Sequence, residues 1–503
     1  MAVVAVLVSA SPLVYLYVRL AEFGFEKVVA QVFRGRSFEL LANSLVLTIA
    51  VASSALLIGS FQAWLTVRTS VRGRTALAIS SALPLAMPSY VSAYAFSAAS
   101  SDFKGFFAAW LVLTIGTAPY VYLAVSAALI RADSATEEVA RSLGYSRWLV
   151  FKNVTWPTIR PSAIGGAMLA ALYTLSDFGA VSILNFDTFT RAIYNAYRSS
   201  FDRSAAASLA AILVLITLVI LLVEPRLRGR LTPTDSRVRK NTMISLGKFG
   251  PLAFLVASAW SFVALVIPGS SLIGWNLVGL SEVDLGEVVR ALTNSVGYSI
   301  AGGVITAAFG LGLSVLVVRY PSKFSGGIEK TVWLTHAVPG IVVALSLVFI
   351  SNRLVPWLYQ TSALVLIAYL ILFLPNAVAA MKTPVAQVPK SMDEVAASLG
   401  SSRIDNLRRV LIPIAGPGIL TGAALVSLSI LKELPATLML RETGIETLAT
   451  RLWNETSVSA FSAAAPYALI LVVVAGIPAW LLNRQVQMSI GAGISEDQRL
   501  ERE

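Results

Sequence analysis

Some twelve stretches of about 20 predominantly apolar residues narrow this chain to one class of fold, because each is long enough to cross a hydrocarbon core. They lie near 1–20, 41–66, 75–98, 106–129, 162–184 and 205–223, and again near 249–273, 292–318, 328–350, 359–381, 418–440 and 462–483. Inside a bilayer no water bonds the backbone, so each run must close its own hydrogen bonds as a helix or join a closed barrel. Barrel strands alternate polar and apolar residues, and these runs do not. The expected fold is therefore all-α, a polytopic membrane protein of about 12 transmembrane helices. With 56% hydrophobic and 13% charged residues, the composition is greasier than a soluble surface tolerates. The first run starts at Met1 without a basic leader or a small-residue cleavage site, so it is expected to be retained as a helix. The chain has no cysteine, which removes disulfides, thiolate metal sites and cysteine nucleophiles.

Short loops rich in Lys and Arg stay on the cytoplasmic side, and here the basic residues fall on alternate loops. One carries Arg68, Arg72 and Arg74, and another spans Glu137 to Trp148. A third, EPRLRGRLTPTDSRVRKN, sets Arg226, Arg228, Arg230, Arg237, Arg239 and Lys240 against Glu224 and Asp235. The alternate loops are poorer: Glu282, Asp284 and Glu287 face Arg290, while Glu442, Glu446 and Glu455 face Arg441 and Arg451. Both termini are thus expected in the cytoplasm, in a multi-pass protein of the cell inner membrane. A formal net charge of +12 spread over membrane-flanking loops is explained by topology, so the expected surroundings are a lipid bilayer and not nucleic acid.

The chain is also duplicated. Asn43, Ser44, Arg68 and Pro88 recur as Asn294, Ser295, Arg319 and Pro339 at a spacing of 251, which becomes 256 from Pro119 and Pro375 onward. EEVARSLGYSRW, from Glu137, returns as DEVAASLGSSRI, from Asp393. The expected domains are a first six-helix unit over 1–230 with a polar loop at 134–161, a basic cytoplasmic linker over 231–248, a second unit over 249–484 with its loop at 390–417, and a cytoplasmic tail over 485–503. Two units with an even number of spans lie parallel in the membrane.

Each polar loop reads as two short helices at an angle. Ser134 and Glu137, like Ser391 and Glu394, have the spacing of a capping box. Val139 and Leu143, like Val395 and Leu399, share one face, and Gly144 and Gly400 stand where a helix ends in a left-handed residue. Ser146 and Ser402 then cap a second helix, expected over 147–154 and 403–410 and closed by Pro157 and Pro413. Such an elbow, apolar on one side and carrying Glu and Arg, suits being gripped by another protein.

The pattern E-V-A, three residues, G, followed by V-x-[WI]-P, resembles the EAA loop of ABC importer permeases, and the resemblance covers nearly the whole chain. It departs from that pattern by Val139 and Val395 in the second position and by Trp156 where leucine is usual. The resemblance implies a type I ABC importer permease-like fold in which Glu138, Ala140 and Gly144, with Glu394, Ala396 and Gly400, dock two copies of a cytoplasmic ABC ATPase. It further implies an extracytoplasmic substrate-binding protein as partner, with ATP and Mg bound by the ATPase and no cofactor in this chain. DFGAVSIL with TFTRAIYNAY, and KELPATLML with ETLATRLW, are similar to the fused permeases of ferric-iron uptake systems, whose relatives carry thiamine, polyamines or aminophosphonates.

A carboxylate at mid-bilayer costs about 2.5 to 3.5 kcal/mol on insertion scales, so charges inside the runs mark a candidate translocation path. These are Asp177, Lys432 and Glu433, with Asp177 and Glu433 corresponding at a spacing of 256. Lining the path is one reading; an internal ion pair in which Lys432 neutralises a carboxylate is the other. Two carboxylates do not make a metal site, so no metal ligand is assigned. The chain contains no HExxH, no GxSxG and no GxxxxGK[ST], which argues against a membrane enzyme and against an ATPase of its own. An ion-coupled secondary transporter remains the rival class, and it has no need of the two loops.

Overall fold

The computed structural model describes residues 2–24, 30, 33–132, 134–198, 203–228, 243–279 and 284–476. The tail expected over 485–503 lies outside the described residues, as does all but 243–248 of the expected linker. In the first half the helices are α1 (Ala2–Phe23), α2 (Gly35–Arg68), α3 (Arg74–Ala82), α4 (Ser89–Ala99), α5 (Gly105–Arg131), α6 (Ser134–Ser142), α7 (Arg147–Val150), α8 (Trp156–Ser176), α9 (Gly179–Ile183), α10 (Phe189–Arg198) and α11 (Arg203–Arg228). In the second they are α12 (Gly250–Gly279), α13 (Leu285–Arg319), α14 (Lys323–Thr335), α15 (Gly340–Leu354), α16 (Ser362–Gln387), α17 (Lys390–Ser398), α18 (Arg403–Asn406), α19 (Ile412–Leu431), α20 (Pro435–Leu440), α21 (Leu448–Ser457) and α22 (Phe461–Gly476). Among the described residues each of these α-helices of the first half has its counterpart in the second, in the same order. Among the described residues the only β-pairing is an isolated bridge between Thr69 and Ile244.

Eight helices are long and apolar enough to cross a membrane, and two bent pairs raise the number to ten among the described residues. The bent pairs are α3 with α4 and α14 with α15, which turn by 98° and 104° where the runs 75–98 and 328–350 are each expected as one span. Pro88 and Pro339 explain the difference. Each holds an extended backbone, with ψ 146° and 148°, and neither has an N–H to continue the helix, so each becomes the N-cap of the helix that follows. The runs 162–184 and 418–440 are likewise interrupted, after Ser176 and Leu431.

The chain forms two compact units whose limits are not those of the sequence repeat: one gathers residues 35–192 and 215–281, the other 1–34, 193–214 and 282–482. Each unit takes its first helix from the opposite half. In the first unit, Ala264 of α12 is buried among Leu47, Val51, Phe96 and Leu113, and Ala257 among Leu65, Val71 and Leu77. Trp275 of α12 donates from Nε1 to the Ala98 carbonyl at 3.0 Å. In the second unit, Ala5 of α1 is buried among Leu313, Val332, Leu370 and Leu374, Tyr15 meets Phe349 at 5.1 Å between ring centres, and Glu22 pairs with Arg353.

Within a bilayer, small residues let helix backbones approach closely. A Cβ at Gly59 of α2 would lie 2.7 Å from the Ala118 carbonyl oxygen of α5, and one at its counterpart Gly310 of α13 would lie 2.6 Å from Ala377 Cβ of α16. Glycine is required at both positions, and the two halves have the same seam.

Candidate functional site

Both polar loops fold as elbows by the same bonds. α6 ends in a Schellman arrangement, with Gly144 N–H bonded to the Arg141 carbonyl at 3.0 Å and Tyr145 N–H to that of Ala140 at 3.1 Å. α17 repeats it, with Gly400 bonded to Ala397 and Ser401 to Ala396, each at 3.0 Å. Gly144 and Gly400 have φ of 87° and 79°, in the left-handed region. Ser146 Oγ then accepts from Leu149 N–H at 3.3 Å and Ser402 Oγ from Asp405 N–H at 3.2 Å, which starts the second arm.

Two expectations are corrected. The capping box of the second elbow does not form: α17 starts two residues earlier, at Lys390, because Pro389 holds the extended conformation of an N-cap and puts Ser391 inside the helix. Pro157 and Pro413 do not close the second arms either. A π-helical turn at Phe151–Thr155, and another at Leu407–Leu411, carries each arm without a break into α8 or α19, so each proline lies inside a continuous helix just after the wider turn.

The elbow surfaces are apolar and uncovered. Val139, Leu143 and Trp148 are 58%, 74% and 67% exposed, and Val395, Leu399 and Ile404 are 58%, 81% and 63% exposed. Glu138, Gly144, Glu394 and Gly400 share this exposed surface. Ala140 and Ala396 do not: both are buried.

Each elbow is also tied to a long span by a buried arginine whose role cannot be read from loop charge. Arg68, 2% exposed at the end of α2, donates from Nη2 to Glu137 Oε1 at 3.1 Å, and Thr155 Oγ1 donates to the same oxygen at 2.9 Å. Arg319, 6% exposed at the end of α13, pairs with Asp393 at 3.2 Å and donates to the Val388 carbonyl at 2.9 Å. Asn406 Nδ2 donates to Asp393 Oδ1 at 2.9 Å. The signal was present in the sequence, since both Arg68–Arg319 and Glu137–Asp393 are matched positions, but only burial distinguishes these arginines from their loop neighbours.

Asp177 and Glu433 sit where α8 and α19 stop. Asp177 Oδ1 accepts from the Ala180 and Val181 amides at 3.0 and 3.3 Å, and Ser89 Oγ donates to Oδ2. Glu433 Oε1 accepts from Ala436 N–H at 2.8 Å, while Oε2 accepts from Thr437 N–H at 2.9 Å and Thr437 Oγ1 at 2.6 Å. Tyr369 OH meets the same Thr437 hydroxyl at 2.7 Å. Each carboxylate therefore satisfies the first amides of a short helix, α9 or α20, which is a structural reason for its burial that needs no cation. Lys432 is the C-cap residue of α19, with its N–H on the Ser429 carbonyl at 3.3 Å.

Beyond the break, Asn43 Nδ2 donates to the Asp187 carbonyl at 3.1 Å and Ser44 Oγ accepts from Phe189 N–H at 3.2 Å. Asn294 and Ser295 repeat this on the Glu446 carbonyl and Leu448 N–H, at 2.9 and 2.8 Å. The Asn-Ser pairs thus hold the first turns of α10 and α21.

Duplicated elbows, matched breaks and matched clamps are one design used twice, and comparison with known proteins identifies it. A family described as "Binding-protein-dependent transport system inner membrane component" matches residues 55–232 and 299–487. The chain belongs to this family. Its relatives include the Fe(3+)-transport system permease protein FbpB 2 of Haemophilus influenzae, 36% identical over 94% of this chain and 95% of the relative. The ferric transport system permease protein FbpB of Actinobacillus pleuropneumoniae is 23% identical over 90% of this chain and 72% of its own. The molybdenum transport system permease protein ModB of Escherichia coli is 31% identical over 36% of this chain and 91% of its own, the length of one half. The present chain is accordingly a multi-pass transport permease built from two fused family units.

Proposed function

We propose that this permease is the membrane-spanning subunit of an ATP-driven importer whose cargo is ferric iron. Two copies of a cytoplasmic ATPase dock on α6 and α17, one per elbow, and an extracytoplasmic binding protein delivers the cargo. Both termini lie on the ATPase side. ATP and Mg belong to the ATPase, and this chain supplies the path and the two docking surfaces. The observation that carries the reading is the pair of exposed apolar elbows, built by the same bonds on the same face of each repeat, which a carrier driven by an ion gradient has no need to keep. The ferric cargo rests on the relatives that match nearly the whole chain, both named as ferric transport permeases.

The test is a purified complex. Its native mass is expected to show one copy of this chain with two ATPase subunits, and proteoliposomes containing it are expected to accumulate ferric iron only with ATP and the loaded binding protein. A complex with one ATPase, or with two copies of this chain, would refute the docking arrangement. ATP-driven uptake of molybdate in place of iron would refute the cargo.

A further inference from the structure

Two helices differ from all the other long ones. α1, α5, α8, α11, α12, α16 and α19 each carry an internal proline, whereas α2 and α13, at 34 and 35 residues, carry none. Proline removes a ladder bond and bends a helix, so α2 and α13 are the straight, stiff elements of their units, each roughly 50 Å long.

Both are fastened at two places. At one end Arg68 holds Glu137 and Arg319 holds Asp393, in the first turns of the elbow helices. Twenty-five residues away, about 37 Å along the helix, Asn43 with Ser44, and Asn294 with Ser295, hold the first turns of α10 and α21. The far end is held again by charge, with different residues in the two halves: Arg36 pairs with Asp187, just ahead of α10, at 2.6 Å, whereas Glu287, at the position matching Arg36, pairs with Arg451 in the first turn of α21. A tie from this end of the helix to the start of α10 or α21 is kept in both halves although the residues that make it differ, which points to the link itself as the feature in use.

We propose that α2 and α13 are struts that carry displacement of the elbows to α10 and α21, and that Arg68 and Arg319 are the positioning residues that engage each strut with its elbow. This rests on the reading that the ATPase docks at the elbows. A buried guanidinium with a carboxylate partner suits the task, because the pair resists separation far more than an exposed one and so transmits a pull without slipping. Sliding α6 or α17 without α2 or α13 would strand a charge in the protein interior.

The experiment uses the full complex with its ATPase subunits in proteoliposomes, in Arg68→Met, Glu137→Gln and the double variant, and in the matching Arg319→Met and Asp393→Asn. Glu137→Gln and Asp393→Asn keep side-chain size and a hydrogen-bond acceptor, and the double variant with Arg68→Met removes the stranded charge as well. Expected in the two amide variants are wild-type ATPase retention, continued ATP hydrolysis, a melting temperature lowered by the buried guanidinium left without its charged partner, and a fall of about tenfold in cargo moved per ATP hydrolysed. The double variant is expected to be no worse than the worse single one, because the two side chains make one contact. A second readout needs no cargo. The chain has no cysteine, so spin labels on cysteines placed at Ser398 and Ser457, both exposed in one unit, report elbow-to-α21 distance alone. That distance is expected to stay fixed between nucleotide-free and ATP-trapped states, and to change on trapping in Arg319→Met. Unchanged cargo per ATP in intact variant complexes overturns the strut while leaving docking in place. Lower melting temperature with an unchanged ratio does the same. Loss of the ATPase from the wild-type chain overturns the docking reading, and the strut with it.

Discussion

Replacing the two matched carboxylates by their amides is expected to have unequal effects, although the substitutions are chemically alike. At Asp177 a single oxygen, Oδ1, takes both backbone bonds, from Ala180 and Val181. The amide oxygen of Asp177→Asn can occupy that place, and the Ser89 hydroxyl can turn to accept from the new NH2, so the loss should stay below about 1 kcal/mol. Asp177→Ala removes the acceptors altogether and leaves buried donors unsatisfied, for about 3 kcal/mol. At Glu433 the bonds are divided: Oε1 serves Ala436 and Oε2 serves both donors of Thr437. Glu433→Gln has one acceptor for two places, and keeping it on Thr437 turns the NH2 against the Ala436 amide, for about 1 to 3 kcal/mol. Thermal unfolding of the purified chain in detergent should therefore rank Asp177→Asn near wild type, with Glu433→Gln and Asp177→Ala below it. Equal melting of Asp177→Asn and Asp177→Ala, or wild-type melting of Glu433→Gln, would refute the capping account. Uptake measured on the same variants addresses the path separately: a stable Asp177→Asn that transports poorly has lost a charge the cargo needs. Recovery of both stability and transport on adding Lys432→Met would instead favour an ion pair.

Gly144→Val and Gly400→Val should leave the membrane core intact, since a Cβ there meets nothing within 4 Å, while the positive φ costs at least about 1–2 kcal/mol locally. The measurable result is loss of ATPase on copurification without a lower melting temperature. Gly310→Val, by contrast, drives a side chain against Ala377 and should destabilise by about 1–3 kcal/mol, whereas Gly116→Ala, with open space around it, should melt as wild type. Arg36→Met removes an exposed ion pair and should cost no more than about 1 kcal/mol, well short of what Arg68→Met costs in the same unfolding assay.

Spans, duplication and elbows were legible in the sequence because each is written in local pattern: apolar run length, repeated motif, serine and glycine at fixed offsets. The bends were half legible. Pro88 and Pro339 stand at matched positions, yet a proline inside an apolar run does not say whether the helix kinks or turns by 98°, which depends on what packs beside it. The breaks at Asp177 and Glu433 were visible as buried charge and not as caps, because a carboxylate bonding three or four residues ahead looks the same in sequence as one facing a pore. Arg68 was misleading for a related reason: basic residues flanking a span are usually solvated, and only the fold shows this one enclosed. The exchange of first helices left no trace, since hydropathy records that α1 and α12 are apolar and not which surface receives them.

That exchange sets an order on biosynthesis. α1 leaves the ribosome well before α14, against which it packs and which begins about 300 residues later. At roughly 5–20 residues per second, α1 waits for about 15–60 s in the bilayer before its seat exists, while the seat for α12 is already built when α12 emerges. The first half can close as soon as α12 inserts, and the second closes only by recovering a helix made some 300 residues earlier.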